Sequence, residues 1–181
     1  MKKIGMIGVG NMGGAILRGM IASGYVAAED VMACLHSEEK RQALAAEIPG
    51  LTCTTDAKAL AQECRMIVLA VKPQVLGELL DSIKGEINDR ALVSIAAGWT
   101  MDMLTNKVAG TTATLLRVMP NTPALVGAGM TAICRRRRSP RLIWRMRRGF
   151  LMQLAKRQSL TRNCLMASLR SAAAVRRIFS C

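Results

Sequence analysis

The sequence predicts a doubly wound α/β fold with a mostly parallel sheet. Short apolar runs alternate along the chain with segments whose apolar residues recur at helical spacing. Residues 66–71 (MIVLAV) are apolar at every position, which is typical of a central strand covered on both faces. The stretch GVGNMG at residues 8–13 joins the first apolar run to the first helical segment, a place that favours a nucleotide-binding turn.

The elements follow in order from the N-terminus. Residues 3–9 (KIGMIGV) predict the first strand, and residues 12–24 predict the first helix, which Gly24 ends. Residues 31–35 (VMACL) predict the second strand, after which Ser37 caps a second helix with Glu38 and Glu39 in its first turn. A third helix is expected over residues 56–64.

The same alternation continues to about residue 133. After the central strand, Pro73 begins a helix that extends to about residue 83. Residues 91–97 predict a strand, residues 100–107 a short helix and residues 113–119 a further strand. Strands separated by helices in this way form a parallel sheet, so residues 1–133 are expected to form one domain.

The charge of the chain changes abruptly at Cys134. Residues 1–133 contain 12 Lys+Arg and 12 Asp+Glu, whereas residues 134–181 contain 14 Lys+Arg and no acid. The formal net charge of +14 therefore belongs to this last segment. Because the segment shows charge without a matching hydrophobic period, we expect a basic tail over residues 134–181 with no fold of its own.

The cysteine and hydropathy patterns exclude several classes of protein. The six cysteines include no Cys-x-x-Cys pair and no histidine at ligand spacing, so neither a metal site nor a redox motif is indicated. We expect free thiols in a reducing cytoplasm. No uninterrupted apolar run reaches the roughly 18 residues that a membrane helix needs, which predicts a soluble, cytoplasmic protein that contacts no membrane.

The GVGNMG stretch fits the Gly-x-Gly-x-x-Gly pattern of dinucleotide-binding turns. Gly8 would allow the tight turn, Gly10 would let the backbone approach a pyrophosphate, and Gly13 would let the helix pack against the strand. The free N–H groups and the positive dipole end of the helix favour the same anion. Residues 1–133 are therefore predicted to form a Rossmann-like, NAD(P)-binding domain.

The end of the second predicted strand favours NADP over NAD. An NAD site usually has Asp or Glu there, whereas this chain has His36 and Ser37, with Lys40 and Arg41 beyond. These groups could bind the 2′-phosphate of NADP. NAD stays an alternative coenzyme, and His36 could equally be a solvated loop residue.

Two more strands end in small or polar residues at the same edge of the sheet. The stretch LAVKPQ (residues 69–74) places Lys72 at the rim of the cleft, and SIAAG (residues 94–98) leaves room for a ribose or a nicotinamide. Asn121 lies between Pro120 and Pro123 in a stiff loop, which favours a contact with cofactor or substrate.

Together, GVGNMGGAIL, LAVKPQ, VSIAAG and RVMPNTPALVGAGMTAI resemble the pyrroline-5-carboxylate reductase family from residue 1 to about residue 133. The MPNTP stretch is the most specific of these. The resemblance implies an oxidoreductase of proline biosynthesis that transfers a hydride from NAD(P)H to the cyclic imine 1-pyrroline-5-carboxylate, giving L-proline. It also implies homodimers or larger oligomers, formed through a C-terminal helical domain in which the catalytic residues, unknown in this chain, are expected.

The resemblance and the coenzyme reasoning define a set of expected cofactor-binding residues. They are Gly8, Gly10, Asn11, Met12, Gly13, His36, Ser37, Ala70, Val71, Lys72, Pro73, Ala96, Ala97, Gly98 and Asn121. By the resemblance, Asn121 would lie beside the nicotinamide. Two positions depart from the family pattern, since His36 stands where many members have Arg and Ala57 where many have Asn near the adenine.

The family's C-terminal domain contains a loop reading Ser-Gly-Ser-Gly-Pro-Ala-Tyr, which this sequence lacks. If the codons of residues 171–181 (SAAAVRRIFSC) are read one frame over, codons that encode this loop are possible. The codons of residues 165–170 (LMASLR), read in the same way, can encode the residues that precede the loop in the family. Residues 134–181 are therefore interpreted as a frameshifted remnant of the helical dimerisation domain. The chain is accordingly expected to be weakly active or inactive.

Two other functions stay open at this point. Another dehydrogenase of the 6-phosphogluconate and hydroxyacid dehydrogenase superfamily would share the glycine turn but would lack MPNTP. An NADP-binding module could instead use RRRRSPRLIWRMRR to contact the phosphates of a nucleic acid. That stretch shows no heptad and no aromatic interleaving, which argues against a specific nucleic-acid partner.

Overall fold

The structure, a computed structural model, describes residues 2–120, 131–135 and 164–167. Strands and α-helices alternate through the first of these ranges, and two short strands follow in the other two. In chain order they are β1 (Lys2–Ile7), α1 (Asn11–Ala22), β2 (Val31–Cys34), α2 (Glu38–Glu47), β3 (Thr52–Thr54), α3 (Ala57–Glu63), β4 (Cys64–Leu69), α4 (Pro73–Ile83), β5 (Ala91–Ser94), α5 (Met101–Lys107), β6 (Thr114–Pro120), β7 (Thr131–Arg135) and β8 (Cys164–Ala167).

The eight strands form one sheet in the order β3-β2-β1-β4-β5-β6-β7-β8. Strands β1 to β6 pair in parallel, and β7 and β8 add antiparallel pairs beyond β6. In the middle of the sheet, Ile4 of β1 lies between Val31 of β2 and Met66 of β4. The strand order reverses there, because β2 and β3 follow on one side of β1 and β4 to β6 on the other. The predicted doubly wound, mostly parallel α/β sheet is confirmed.

Each face of the sheet carries its own apolar layer. In β4, Met66 and Val68 belong to the layer that α1 and α2 cover, whereas Ile67 and Leu69 belong to the layer beneath α3, α4 and α5. Burying one such side chain stabilises the fold by about 1.5–3 kcal/mol. Because β4 is covered on both faces, its carboxyl end is held firmly at the centre of the sheet.

The predicted ends of two helices are confirmed by their hydrogen bonds. Gly24 follows α1 with a φ of +69°, and its N–H donates to the carbonyl of Ile21 at 2.9 Å. This left-handed conformation is the one that glycine adopts at helix ends. At the start of α2, the Ser37 hydroxyl accepts a hydrogen bond from the N–H of Lys40.

The C-terminal strands extend the sheet of the N-terminal domain. The predicted boundary between residues 133 and 134 falls inside β7, whose Thr131 pairs with Pro120 of β6. Strand β8, from the predicted basic tail, pairs with β7 so that Cys164 lies opposite Cys134. The other residues of that tail lie outside the described part of the chain.

Candidate functional site

Four loops leave the carboxyl ends of neighbouring parallel strands and meet at one edge of the sheet. The pairing continues one residue beyond the strands: Gly8 N–H donates to Cys34 O at 3.0 Å, Ala70 N–H to Ile7 O at 2.8 Å, and Ile95 N–H to Leu69 O at 3.1 Å. These bonds bring the ends of β1, β2, β4 and β5 into register. The crevice where the strand order reverses is the general ligand site of such sheets.

Gly8 and Gly13 are required by packing. Gly8 has a φ of +89°, and a Cβ on it would lie 2.7 Å from the carbonyl oxygen of Ala70. A Cβ on Gly13 would lie 2.4 Å from the carbonyl oxygen of Gly8 and 2.9 Å from the Cβ of Ala70. The turn after β1 therefore passes so close to α1 and to the end of β4 that no side chain fits at either position.

Gly10 differs from the other two glycines of the motif. It is exposed, and a Cβ built on it meets nothing within 4 Å. Gly10 is also the N-cap residue of α1, where no side chain caps the helix and no acid lies in the first turn. The motif thus presents open space beside the first turn of α1, which includes Asn11, Met12 and Gly13.

This arrangement fits the pyrophosphate of a dinucleotide. The first four N–H groups of a helix have no carbonyl partner within it, and the helix dipole adds a partial positive charge at the same end. An anion beside Gly10 would meet both, with no side chain between it and the backbone. Residues 10–13 would hold the pyrophosphate, and the dinucleotide would cross the strand-order reversal between β1 and β4.

The end of β2 carries the groups expected to select the coenzyme. His36 is exposed and Ser37 is half-buried. The Ser37 hydroxyl is engaged as the cap of α2, and the Arg41 guanidinium binds the carboxylate of Glu38, with Nε 2.7 Å from Oε2. Hydrogen bonds from Arg41, and a further one from Gln42, lower the pKa of Glu38 to about 2. Arg41 is therefore paired within α2. The sequence analysis assigned Arg41 to the cofactor and did not consider this pair, although its i, i+3 spacing on a helix was a signal for it.

The loop after β4 lies between the sheet and α4. Ala70 and Val71 are half-buried, whereas Lys72 is exposed and forms the N-cap of α4. Pro73 occupies the start of that helix, as predicted. The loop therefore offers backbone and small side chains to the crevice, with one cation at its rim.

The loop after β5 begins in the core and ends at the surface. Ala96 is buried, Ala97 and Gly98 are exposed, and Gly98 has a φ of +77°. The next residue, Trp99, donates a hydrogen bond from its indole Nε1 to the carbonyl oxygen of Pro73 at 2.9 Å. Sequence reasoning missed Trp99, although a tryptophan directly after a run of small residues was an available signal.

The structure therefore brings together most of the residues expected at the cofactor site. Those in the loops after β1, β2, β4 and β5 lie at one edge of the sheet. Asn121 lies outside the described residues, so its predicted place beside the nicotinamide stays a prediction.

Two buried thiols are poor nucleophiles: Cys34 at the end of β2, on this edge of the sheet, and Cys64 at the start of β4, on the opposite edge. Burial raises the pKa of Cys34 and of Cys64 to about 11, and the carboxylates of Asp56 and Glu63, respectively, act in the same direction. At neutral pH both side chains are therefore protonated.

Within the described residues no group of three or more His, Cys, Asp or Glu side chains could hold a metal ion. The described helices also include none with the length and apolar character needed to cross a bilayer.

Comparison with known proteins gives a consistent result. The family model described as "NADP oxidoreductase coenzyme F420-dependent" matches residues 3–98. The pyrroline-5-carboxylate reductase of Escherichia coli (strain K12) is 44% identical over 133 residues, which are 73% of this chain and 49% of that protein.

Two solved structures share the fold. The Plasmodium falciparum pyrroline carboxylate reductase, solved with NADP bound, superposes with a TM-score of 0.73 at 27% identity, covering 84% of this chain and 55% of that one. The Coxiella burnetii pyrroline-5-carboxylate reductase superposes with a TM-score of 0.77 at 25% identity, and the match covers 84% of this chain and 56% of that one.

The chain spans about half the length of the curated relatives that it matches. The match extends over 133 residues, the length that the sequence motifs predicted for the N-terminal domain. By its glycine turn, its sheet and the model that it matches, the chain belongs to the family described as "NADP oxidoreductase coenzyme F420-dependent", and over 133 residues it is similar to a pyrroline-5-carboxylate reductase.

Proposed function

We propose that residues 1–133 are the NADP(H)-binding part of an enzyme that reduces 1-pyrroline-5-carboxylate to L-proline, and that the 181-residue chain itself has little or no such activity. The observation that carries the proposal is the open space over Gly10 at the start of α1, beside the reversal of strand order between β1 and β4. The names of the similar proteins, which are pyrroline-5-carboxylate reductases, support the choice of substrate. A cytoplasmic location accords with that role.

The proposed cofactor site uses each loop for a different part of the dinucleotide. Gly10 and the first turn of α1 bind the pyrophosphate, and the region of His36 binds the adenosine ribose and its phosphate. Residues 70–73 and 96–98 lie on the other side of the reversal and line the nicotinamide half. We keep Asn121 in this set as a proposed nicotinamide contact.

The proposed reaction asks for positioning more than for covalent chemistry. A reduced nicotinamide, when bound, supplies the hydride. The chain's own residues hold the dinucleotide. The buried side of the crevice keeps water from one face of the dinucleotide. Imine reduction also needs a proton for the ring nitrogen and a pocket for the substrate carboxylate, and we assign both to the C-terminal helical domain of the family.

We also propose that residues 134–181 are that domain translated in another reading frame. The absence of any acid after Asp102, together with the abrupt rise in Arg after Ile133, supports this origin. The match to the Escherichia coli reductase covers 133 residues, which accords with a change of frame at this point.

Gly10→Ala tests the cofactor site. Its φ of −77° is compatible with alanine and the added methyl meets no protein atom within 4 Å, so the chain should still fold, with a loss of at most about 1 kcal/mol because alanine is a poorer N-cap residue than glycine. The methyl would occupy the space that the pyrophosphate needs. We expect NADPH binding, measured by calorimetry on the 181-residue chain, to weaken by about tenfold or more, which corresponds to about 1.4 kcal/mol.

Gly19→Ala is the matched control because Gly19 lies in the same helix and a Cβ there also meets nothing within 4 Å. It should stabilise α1 by about 0.5–1 kcal/mol and leave NADPH binding unchanged. Undiminished NADPH binding by the Gly10→Ala chain would overturn the assignment.

A further inference from the structure

Trp99 joins two of the loops at the proposed cofactor site. It follows Gly98 directly and precedes Thr100, whose hydroxyl caps α5 by accepting from the N–H of Met103 at 3.1 Å. Its indole Nε1 donates to the carbonyl oxygen of Pro73 at 2.9 Å. Pro73 is the first residue of α4, directly after the loop that follows β4, and Trp99 lies near the end of the loop that follows β5.

The indole ring also packs against α4. A Cβ built on Gly77 of α4 would lie 3.5 Å from the Cζ2 and Cη2 atoms of Trp99, which is ordinary van der Waals contact. The side chain of Lys107 approaches the same point, with Cε at 3.6 Å, and forms an ion pair with Asp81. Trp99 is therefore held by a hydrogen bond at the start of α4 and by apolar contact one turn later.

The loop that Trp99 ends is otherwise open to solvent. Ala97 and Gly98 are exposed, and a Cβ built on Gly98 meets nothing within 4 Å. Since Ala97 and Gly98 lie at the surface, the position of these two residues depends on the anchors on either side. One anchor is the buried end of β5, and the other is Trp99.

We propose that Trp99 is a positioning residue for the nicotinamide half of the cofactor, an inference that rests on the proposed function. By holding the loop after β5 against the start of α4, the indole fixes residues 96–98 relative to residues 70–73. The adenosine half lies at the end of β2, on the other side of the strand-order reversal. Loss of the indole hydrogen bond should therefore weaken contacts with the nicotinamide half only.

Two ligands separate this role from a general effect on folding. NADPH contains both halves of the dinucleotide, whereas 2′,5′-ADP contains only the adenosine half with its phosphates. In Trp99→Phe the aromatic ring stays and the Nε1 donor is lost. We expect the affinity for NADPH, measured by calorimetry on the 181-residue chain, to fall about three- to tenfold, while the affinity for 2′,5′-ADP changes less than about twofold.

Gly77→Ala is the matched control, since its methyl would contact the same ring at an ordinary distance and leave the Nε1 donor in place. It should bind both ligands as the wild-type chain does. If Trp99→Phe folds poorly, the donor can be removed by placing the isosteric benzothienylalanine at position 99 in a Trp144→Phe chain, because Trp99 and Trp144 are the two tryptophans.

Unchanged NADPH binding after loss of the donor, or equal weakening of NADPH and 2′,5′-ADP, would overturn the positioning role alone. Failure of the wild-type chain to bind either ligand would instead overturn the proposed function.

Discussion

At the scale of single residues, the ion pair between Glu38 and Arg41 bears on the choice of coenzyme. Arg41 lies close to the end of β2, where the 2′-phosphate of NADP is expected, but its guanidinium already binds the carboxylate of Glu38. A phosphate at this site must compete with Glu38 for the same donors. The pKa of Glu38, lowered to about 2 chiefly by Arg41, means that Glu38 stays ionised and competes at every pH above about 4.

Glu38→Gln should therefore raise the affinity for NADPH. The amide is a weaker partner for Arg41, so the guanidinium is released for the 2′-phosphate. We expect the dissociation constant of NADPH to fall between about three- and tenfold and that of NADH to change little, with a smaller difference at high salt. Titration of cofactor fluorescence with both coenzymes measures the ratio.

Glu39→Gln is the control for this experiment, because it removes the same charge from the neighbouring exposed position and leaves Glu38 in place. An equal gain in NADPH affinity in the two variants would mean that net charge, and not release of Arg41, is the cause.

The sequence predicted the places of the glycine motif and of the loop residues because these follow directly from strand ends. The different surroundings of Gly10 and Gly13 could not be read from it. Gly13 is closed in by the carbonyl of Gly8 and the methyl of Ala70, and such distances depend on how the elements pack. The bond from Trp99 to Pro73 spans 26 residues and likewise exists only once α4 and α5 are docked.

At the scale of elements, the short helix α3 depends on its N-cap. One carboxylate oxygen of Asp56 accepts hydrogen bonds from the N–H groups of Lys58 at 2.8 Å and Ala59 at 3.2 Å. A helix of seven residues has few internal hydrogen bonds, so those made by its cap are a large share of the total. Its buried Leu60 packs against the sheet only when the helix is formed.

Asp56→Ala should lower the free energy of unfolding by about 1 kcal/mol, because two N–H groups lose their acceptor. Asp56→Asn keeps an oxygen acceptor and should retain most of the stability. Urea unfolding followed by circular dichroism measures the difference. Equal stability of the alanine and wild-type chains would show that the cap contributes nothing to α3.

The buried parallel strands were predictable, and the edge strand β3 was not. β1, β2, β4, β5 and β6 are apolar runs that buried strands require, and each lies within two residues of the predicted start. β3 has only three residues, Thr52, Cys53 and Thr54, all half-buried at the sheet edge, so it carries no clear period. β5 ends at Ser94, earlier than its apolar pattern suggested, because the chain turns away to form the loop of residues 96–98.

At the scale of the whole molecule, the share of the relatives' length that the chain matches bears on its proposed activity. The match spans 49% of the Escherichia coli reductase. The residues of this chain beyond Ile133 differ from those before it in charge, with 14 Lys+Arg and no acid. Holding two reactants in a productive geometry can be worth about 7–11 kcal/mol of barrier. A domain that binds NADPH but does not position the imine loses most of that advantage.

The 181-residue chain should accordingly form proline from 1-pyrroline-5-carboxylate at a negligible rate, and a chain with its reading frame restored after Ile133 should gain activity and dimerise. Proline formation and sedimentation are measured on both chains side by side. The frame-restored chain with Gly10→Ala serves as the control, since it should dimerise and need about tenfold more NADPH to reach the same activity. Equal activity of the two chains would refute the frameshift interpretation, and resequencing the Cys134 codon tests it independently.

Strand β7 crosses the boundary between the neutral and the basic parts of the sequence. Its first three residues, Thr131 to Ile133, precede the change of charge, and its last two, Cys134 and Arg135, belong to the basic segment. Pairing with β6 uses main-chain N–H and C=O groups, which every residue except proline supplies in full. A change of side chains halfway along the strand therefore leaves the ladder intact. The last parallel strand, β6, therefore keeps β7 as its neighbour under the proposed change of frame, and its own main-chain groups do not become an unpaired edge that could recruit other chains into aggregates.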